Sequence, residues 1–420
     1  MTSEIAVMNQ RAVALAADSA VTLVDGRTVV VRNEQRKLFN LAEGQPIGIM
    51  FFGVADILGH PWDQLIEHYQ STHKRDGAKP HVQDYGAAFT AMLDNLEEFF
   101  PPDRQAEDYR RLLASVFRHI FAYAQFLRES SDDPALMADD ARLLTAAIER
   151  IWREYQQRED GTPRRDLPCF PAGFAQKVVS RHAAQINELI NYGFGQFGLP
   201  QSAIQQLNGI AGFCVVKDLF LEDVSGLVFA GFGSQDRYPA VVTYYTSAIV
   251  DGILKRSEVS VDVIDNETRS KVRVYADSEV THAFLRGIDF NLERRLYAGF
   301  RMLLHGVVDE IIAAIPDTAA EAREALRQRF QADFVPRHFD AFRGMIGEYQ
   351  QHAFINPVLR VLEIAGRNEL AETARSLVEL NVFKKRIMAQ KETVGGAIDV
   401  AIISRDAGFQ WWSKPGASNG

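Results

Sequence analysis

The apolar positions change their period several times along the chain. Near the start they come as short dense runs, "EIAVM", "AVALAADS", "RKLFNL" and "PIGIMFF". A polar "NQR" separates the first two, and "VDGRTVVVRN" carries an Asp-Gly turn before a β-branched run. Runs that are apolar at nearly every position predict strands buried on both faces. From Gly53 to about Leu221 the spacing becomes three and four residues, which predicts helices. The stretches "ADILGHPWDQLIEHYQ", "VQDYGAAFTAMLDNLEEFF", "YRRLLASVFRHIFAYAQFL", "ALMADDARLLTAAIERIWREYQQ" and "FAQKVVSRHAAQINELINYG" all show it. The polar "REDGTPRRDLP" reads as a loop between helices. Strand-like runs return at "SGLVFAGFG", "PAVVTYYTS", "SEVSVDVID" and "SKVRVYAD". A second helical block follows from about Val280 to Ala389, including "NLERRLYAGFRMLLHGVVDEIIAAI". The chain closes with "AIDVAIIS" as a strand, "RDAGF" as a turn, and a tail, "KPGASNG", expected to be disordered.

The order β, α, β, α, β, without an internal repeat, suits an α+β sandwich. Two sheets would face each other, with helical layers covering both outer faces. The blocks divide at 1–100 (first part of the sandwich), 101–220 (a helical insertion) and 221–290 (the second strand block). They continue through 291–365 (another helical insertion), 366–413 (last helix and final strand) and 414–420 (the tail).

Composition narrows the function. The 420 residues are 47% hydrophobic and 24% charged, ordinary for a globular chain. A net charge of −9 argues against nucleic-acid or anionic-membrane partners. Two cysteines, Cys169 and Cys214, give neither a disulfide framework nor a metal spacing. There is no basic-flanked apolar leader and no apolar run of the ~18 residues that a membrane span needs, so a cytoplasmic location is expected. The ten histidines form no H-E-x-x-H and no close cluster with cysteine, so no metal is expected. "GFGQFG", Gly193 to Gly198, satisfies G-x-G-x-x-G but follows a helix, which makes it a helix-ending loop rather than a dinucleotide site. No cofactor is expected.

The start of the chain carries the candidate chemistry. Removal of Met1 before the small Thr2 would leave a threonine whose hydroxyl is a nucleophile and whose own α-amine is a base. That amine has an ordinary pKa of about 7.7–8.0, close to working pH.

Several segments, in order, resemble the proteasome β-type peptidases and the bacterial heat-shock peptidase of the same fold. "VALAADS" is similar to the family's strand after the nucleophile, and counting sixteen residues back from Asp18 lands on Thr2. "RKLFNL" resembles the strand that opens with the family's catalytic lysine, which puts that role on Lys37. "IMFFGVADI" is similar to the turn whose glycine supplies an oxyanion-hole amide, hence Gly53. "SGLVFAGFGSQDRYPAVVTYY" resembles a family hairpin, and the segment from Glu369 to Gly408 its last helix, Gly-Gly turn and final strand. The matched segments cover about 40% of the chain. The resemblance implies an αββα amino-terminal-nucleophile hydrolase, enlarged by two helical insertions.

It also implies roles. Asp18 would hold Lys37 charged and oriented, and the Lys37 ammonium would keep the Thr2 amine neutral. The Gly53 N–H would meet the developing oxyanion, an effect worth roughly 3 kcal/mol. A supporting serine falls on Ser278, with Ser234 in "GFGSQD" as the rival. Thr22 would pair with an extended peptide through its backbone, Phe51 would floor a shallow specificity pocket, and Ala55 would stand at its mouth. The sequence departs from the family at Ala20, where an Arg is common, and at Lys391 and Val394, where an Asp and a Ser precede the Gly-Gly. The expected activity is cleavage of a peptide or other amide bond through an acyl-ester on Thr2. The alternatives are an amide ligase using the same site and a catalytically inactive assembly subunit. Expected partners are a peptide or protein substrate, further copies of the chain in a ring or smaller oligomer, and, by analogy, an ATP-dependent unfoldase.

Overall fold

The computed structural model describes residues 3–19, 21–25, 28–32, 35–74, 76–94, 96–130, 138–158, 160–221, 223–276, 279–315, 320–387 and 397–413. It is a mixed α+β structure with antiparallel sheets. The chain begins with strands β1 (Ser3–Asn9), β2 (Ala12–Asp18), β3 (Val21–Asp25), β4 (Thr28–Arg32), β5 (Leu38–Asn40) and β6 (Ile47–Gly53), then the two-residue strands β7 (Asp56–Ile57) and β8 (His60–Pro61). Helices α1 (Trp62–Thr72), α2 (Val82–Met92), α3 (Pro102–Ser130), α4 (Asp140–Gln156), α5 (Phe174–Arg181), α6 (Ala183–Phe194) and α7 (Gln201–Val216) follow. Strands β9 (Ser225–Gly231), β10 (Ala240–Val250), β11 (Ile253–Val263) and β12 (Ser270–Ala276) come next. The chain then forms α8 (Glu279–Arg286), α9 (Phe290–Ala314), α10 (Ala320–Arg329), α11 (Val335–Gln350), α12 (Asn356–Ile364) and α13 (Arg367–Ile387), and ends with β13 (Ile398–Ser404) and β14 (Gly408–Ser413).

These elements fall into two compact units. One comprises Met1–Gln35, Ile264–Ile402 and Trp411–Gly420, the other Arg36–Val263 and Ile403–Gln410, so the division passes through the last hairpin.

The first unit is built on a sheet ordered β12-β1-β2-β13-β14. The polar "NQR" turns the chain between β1 and β2. The Asn9 side-chain oxygen accepts the N–H groups of Arg11 and Ala12, and its amide nitrogen donates to the carbonyls of Leu362 and Ala365 at the end of α12. The turn fixes an antiparallel register running from Met8 opposite Val13 to Glu4 opposite Ala17. Every residue of β1 and β2 is buried. On one face Ile5, Val7, Ala14 and Ala16 meet Leu370, Ala374, Leu377 and Val378 of α13. Glu4, Ala6, Met8, Leu15 and Ala17, on the other face, are buried as well. Strands dense in apolar residues are what such two-faced burial requires. Helices α9 to α11 form a smaller core of their own around Leu304, Val308, Ile312 and Val335.

The second unit holds an antiparallel sheet ordered β11-β10-β9-β6-β5. Helix α2 lies against β9 and β10, and Gly86 lets it come close: a Cβ there would stand 2.6 Å from the Tyr244 ring. Phe89 meets Phe229 with ring centroids 5.7 Å apart. Helices α3 to α7 enclose a separate apolar core with Ala248 and Val250 of β10. At its edge the buried Lys255 ammonium donates to the carbonyls of Cys214 (2.7 Å) and Leu219 (2.6 Å) and lies over the Phe220 ring. Burial pulls its pKa down to about 8. Among the described residues, no helix is long and apolar enough to cross a membrane.

Two elements differ from the sequence reading. "ADILGHP" does not open a helix. Leu58 (φ 50°) and Gly59 (φ 80°) take left-handed conformations and turn β7 back on β8, so α1 starts only at Trp62. Left-handed pairs of this kind suit two-residue hairpins and stop a helix. The other is β14, whose "GFQWWS" extends the last hairpin beyond the expected turn.

Gly231 ends β9 with φ 144°, and a Cβ there would stand 2.0 Å from the Pro46 carbonyl oxygen. The nearest atoms, of Pro46 and Ile47, are all backbone, which leaves no flexible group to yield. Gly231→Ala is therefore expected to lose at least about 2 kcal/mol, read as a lower urea midpoint at unchanged slope. An unchanged midpoint would contradict the close approach.

Candidate active site

The head of β1 organises one group of candidate residues. With Glu4 opposite Ala17, the same register sets Ser3 opposite Asp18. The Asp18 carboxylate accepts the Ser3 N–H at 3.1 Å, and both residues are buried. That N–H belongs to the peptide bond joining residues 2 and 3. The sixteen-residue spacing is thus the arithmetic of a tight hairpin. Ser3 is held from two further sides. It pairs with Ala276 of β12, and its hydroxyl accepts from the side-chain amide of Asn381 on α13 (2.7 Å). Asn381 in turn accepts the Thr281 N–H of α8 (3.3 Å). Beyond Asp18, the Ser19 N–H donates to the Ala397 carbonyl just before β13, and the Ser19 carbonyl accepts the Gln35 N–H. Glu4, Asp18 and Asp399 all lie at the end of the sheet where β1 and β13 begin and β2 ends, and all are buried, Asp18 on the face of Ala16 and Glu4 on the opposite one. Asn381 was not singled out from the sequence. The available signal was a lone amide in the apolar period of "SLVELNVF".

The second unit carries the other group. Lys37 precedes β5 and is 1% exposed. Its carbonyl accepts the Phe51 N–H at 3.1 Å, one step beyond the Leu38–Met50 pair. Gly53 ends β6 opposite Ser225, and the Val54 N–H donates to the Val224 carbonyl. Successive strand amides point to opposite edges. The Val54 bond faces β9, so the Gly53 N–H faces the β5 edge, the side from which the Lys37 carbonyl bonds Phe51. The expected helix start at Gly53 is replaced by the β7–β8 hairpin, so this amide owes nothing to a helix dipole. The Val54 carbonyl one residue further along is held locally. Trp62 Nε1 donates to the Val54 carbonyl and the Ser225 hydroxyl, both at 3.1 Å, and Ser225 donates to the same carbonyl at 2.7 Å. Trp62 and Ser225 were also missed by the sequence reading. Gly53 itself has φ 82°, and a Cβ would stand 2.2 Å from the Val224 oxygen.

The candidate substrate residues lie as follows. The backbone of Thr22 pairs with Val31 in the β3–β4 hairpin. Phe51 is fully buried and stacks on Phe39 at 6.4 Å, while Arg36 lies over the Phe39 ring. Ala55 is nearly buried, and its carbonyl accepts the Trp62 N–H. Thr2 and Ser278 lie outside the described residues, as do Ala20, Lys391 and Val394. Ala276, two positions before Ser278, faces Ser3.

Ser234 serves a different purpose. Its N–H and hydroxyl both donate to the Lys79 carbonyl, and its own carbonyl accepts from Arg405. In the same "GFGSQD" loop the Asp236 carboxylate accepts the N–H groups of Gly233 (2.8 Å) and Val82 (3.1 Å) and pairs with the His81 ring at 2.6 Å. The motif fastens the start of α2, where an anion suits the helix dipole. Cys169 and Cys214 are free thiols, and burial pushes Cys214 up to about 12. Among the described residues, no group of three or more His, Cys, Asp or Glu is arranged to hold a metal ion.

The hydrogen bond to Asp236 raises the His81 pKa above its ordinary 6.5. A raised folded value means that the pair contributes fully below pH 6.5 and that this contribution is lost as pH rises through the folded pKa. NMR titration is expected to place His81 above 6.5, and Asp236→Asn to return it toward that value. Equal titration in the two proteins would remove the pair from the account. No protein-family model and no curated protein matches the chain.

Proposed function

We propose that this chain is an amino-terminal-nucleophile hydrolase of the αββα type, acting on peptide or other amide bonds through Thr2 once Met1 is removed. The observation that carries the reading is the Asp18 carboxylate held at 3.1 Å from the peptide nitrogen that follows Thr2. In this reading the Thr2 amine takes the proton of the Thr2 hydroxyl as the oxygen attacks the scissile carbonyl. The ester that forms releases the leaving amine, and water then resolves it. Lys37 is the proposed ammonium that keeps the Thr2 amine neutral, and Asp18 is the carboxylate proposed to hold it charged and oriented.

The Gly53 N–H is the proposed oxyanion donor, with Trp62 and Ser225 holding the Val54 carbonyl one residue further along. Ser278 is the supporting hydroxyl. The β3–β4 ribbon offers Thr22 for strand-like pairing with the substrate, and Phe51 and Ala55 shape the pocket for a small side chain. If an amine resolves the ester instead of water, the same site is an amide ligase. The substitutions at Lys391 and Val394 favour a further reading, an inactive subunit that serves assembly of proteasome-like rings.

The purified protein is expected to lack Met1 by intact mass and to take a β-lactone or epoxyketone label on Thr2. Thr2→Ala is expected to lose the label and to lower amide hydrolysis by at least about a thousandfold, while its thermal midpoint stays at the wild-type value. Thr2→Ser is expected to retain measurable turnover. A mature protein that keeps Met1 and takes no label would point to the inactive subunit, and full activity of Thr2→Ala would refute the nucleophile.

A further inference from the structure

Helix α9 buries one face and presents a second apolar face to solvent. Glu293, Leu304, Val308 and Ile312 point inward. Turned about a quarter of the circumference from them, Leu292, Leu296, Leu303, Val307 and Ile311 line the outside, and Leu296 and Leu303 are 50% and 59% exposed. Spacings of four, seven, four and four residues keep these side chains on one seam, as in a two-helix interface. Gly299 and Gly306 lie along the same seam, and a Cβ at either would meet nothing within 4 Å. The backbone there is open to close approach by another helix.

The charges say what fits. Arg294, Arg295 and Arg301 are exposed in the amino-terminal half of α9, and Asp309 and Glu310 in the carboxy-terminal half. Acidic groups near a helix carboxy terminus oppose the helix dipole and gain nothing from their own helix. A parallel copy would set Arg295 on Arg295 and Glu310 on Glu310. An antiparallel copy relieves both. With Leu292 opposite Ile311, Leu296 falls opposite Val307 and Arg295 comes within a turn of Asp309 and Glu310. Asp309 already holds Arg327 at 3.0 Å, so Glu310 is the acidic partner for the second copy.

We propose that α9 is the interface of an antiparallel, two-fold dimer of this chain, seamed by Leu292, Leu296, Leu303, Val307 and Ile311 and steered by Arg295–Glu310 pairs. The interface is isologous: the same patch serves both copies, and each Arg–Glu contact occurs twice. It stands whether or not Thr2 is a nucleophile.

Light scattering on a sizing column tests it with the full chain. The wild-type protein is expected at an even multiple of the chain mass. Leu296→Glu with Leu303→Glu is expected to halve that mass at unchanged far-ultraviolet circular dichroism. Arg295→Glu is expected to raise the dissociation constant at least about tenfold, and Arg295→Glu combined with Glu310→Arg to bring it back. A wild-type monomer at the highest concentration reached would overturn the proposal. So would a double-glutamate variant of wild-type mass, or a charge swap that fails to restore what the single reversal lost.

Discussion

A buried carboxylate at the end of a buried strand constrains everything around it. Asp18 has lost water on all sides, and an ion so placed costs several kcal/mol unless the protein replaces its hydration. The Ser3 N–H supplies part of that replacement, and only one register of the β1–β2 hairpin brings it there. A slip of one residue would take Asp18 off the amide and turn Ile5 and Val7 away from α13. The register is set at the opposite end of the sheet, where Asn9 closes the turn and bonds the carbonyls of Leu362 and Ala365. A polar residue in the turn thus positions a polar residue at the head of the strand through a ladder that is apolar except at Glu4.

Much of this was legible in the sequence because dense apolar runs have few alternatives. "EIAVM" and "AVALAAD" leave no polar face, so their strands had to be covered on both sides, and both are buried throughout. The three- and four-residue period likewise announced the long helices, since only one stripe of α3 or α4 reaches a core. Less legible was whatever depends on backbone conformation or on single polar contacts. The β7–β8 turn rests on Leu58 with positive φ, which composition does not advertise for a leucine. "GFGSQD" looked like a catalytic loop because glycine, serine and aspartate suit both an active site and a helix clamp. Only the contacts of Asp236 with Val82 and His81 distinguish the two. At the candidate site, Asp18 was visible through its spacing, whereas Asn381 and Trp62 act through hydrogen bonds that no local pattern encodes.

Gly53 shows why residue identity alone is weak evidence of chemistry. A side chain there would collide with the Val224 carbonyl, and the backbone is left-handed, so packing demands glycine whether or not catalysis does. What bears on chemistry is the direction of its amide. That direction follows from strand parity, set two residues earlier by the Phe51 N–H bond to the Lys37 carbonyl.

The helical additions obey a different rule from the sheets. Around β1 and β2, small alanines let α13 approach, and the packing uses both faces of the sheet. Around α9 the core is a satellite of a few aromatic and aliphatic side chains, and among the described residues it holds none from β1 or β2. Helix α9 therefore draws its stability from α10 and α11 and keeps its outer seam free of the sheet core. A surface change on that seam can alter how copies of the chain meet without touching the Ser3–Asp18 contact. The two features belong to separate cores, and in a close-packed interior strain passes between residues in contact far more readily than between clusters that share none.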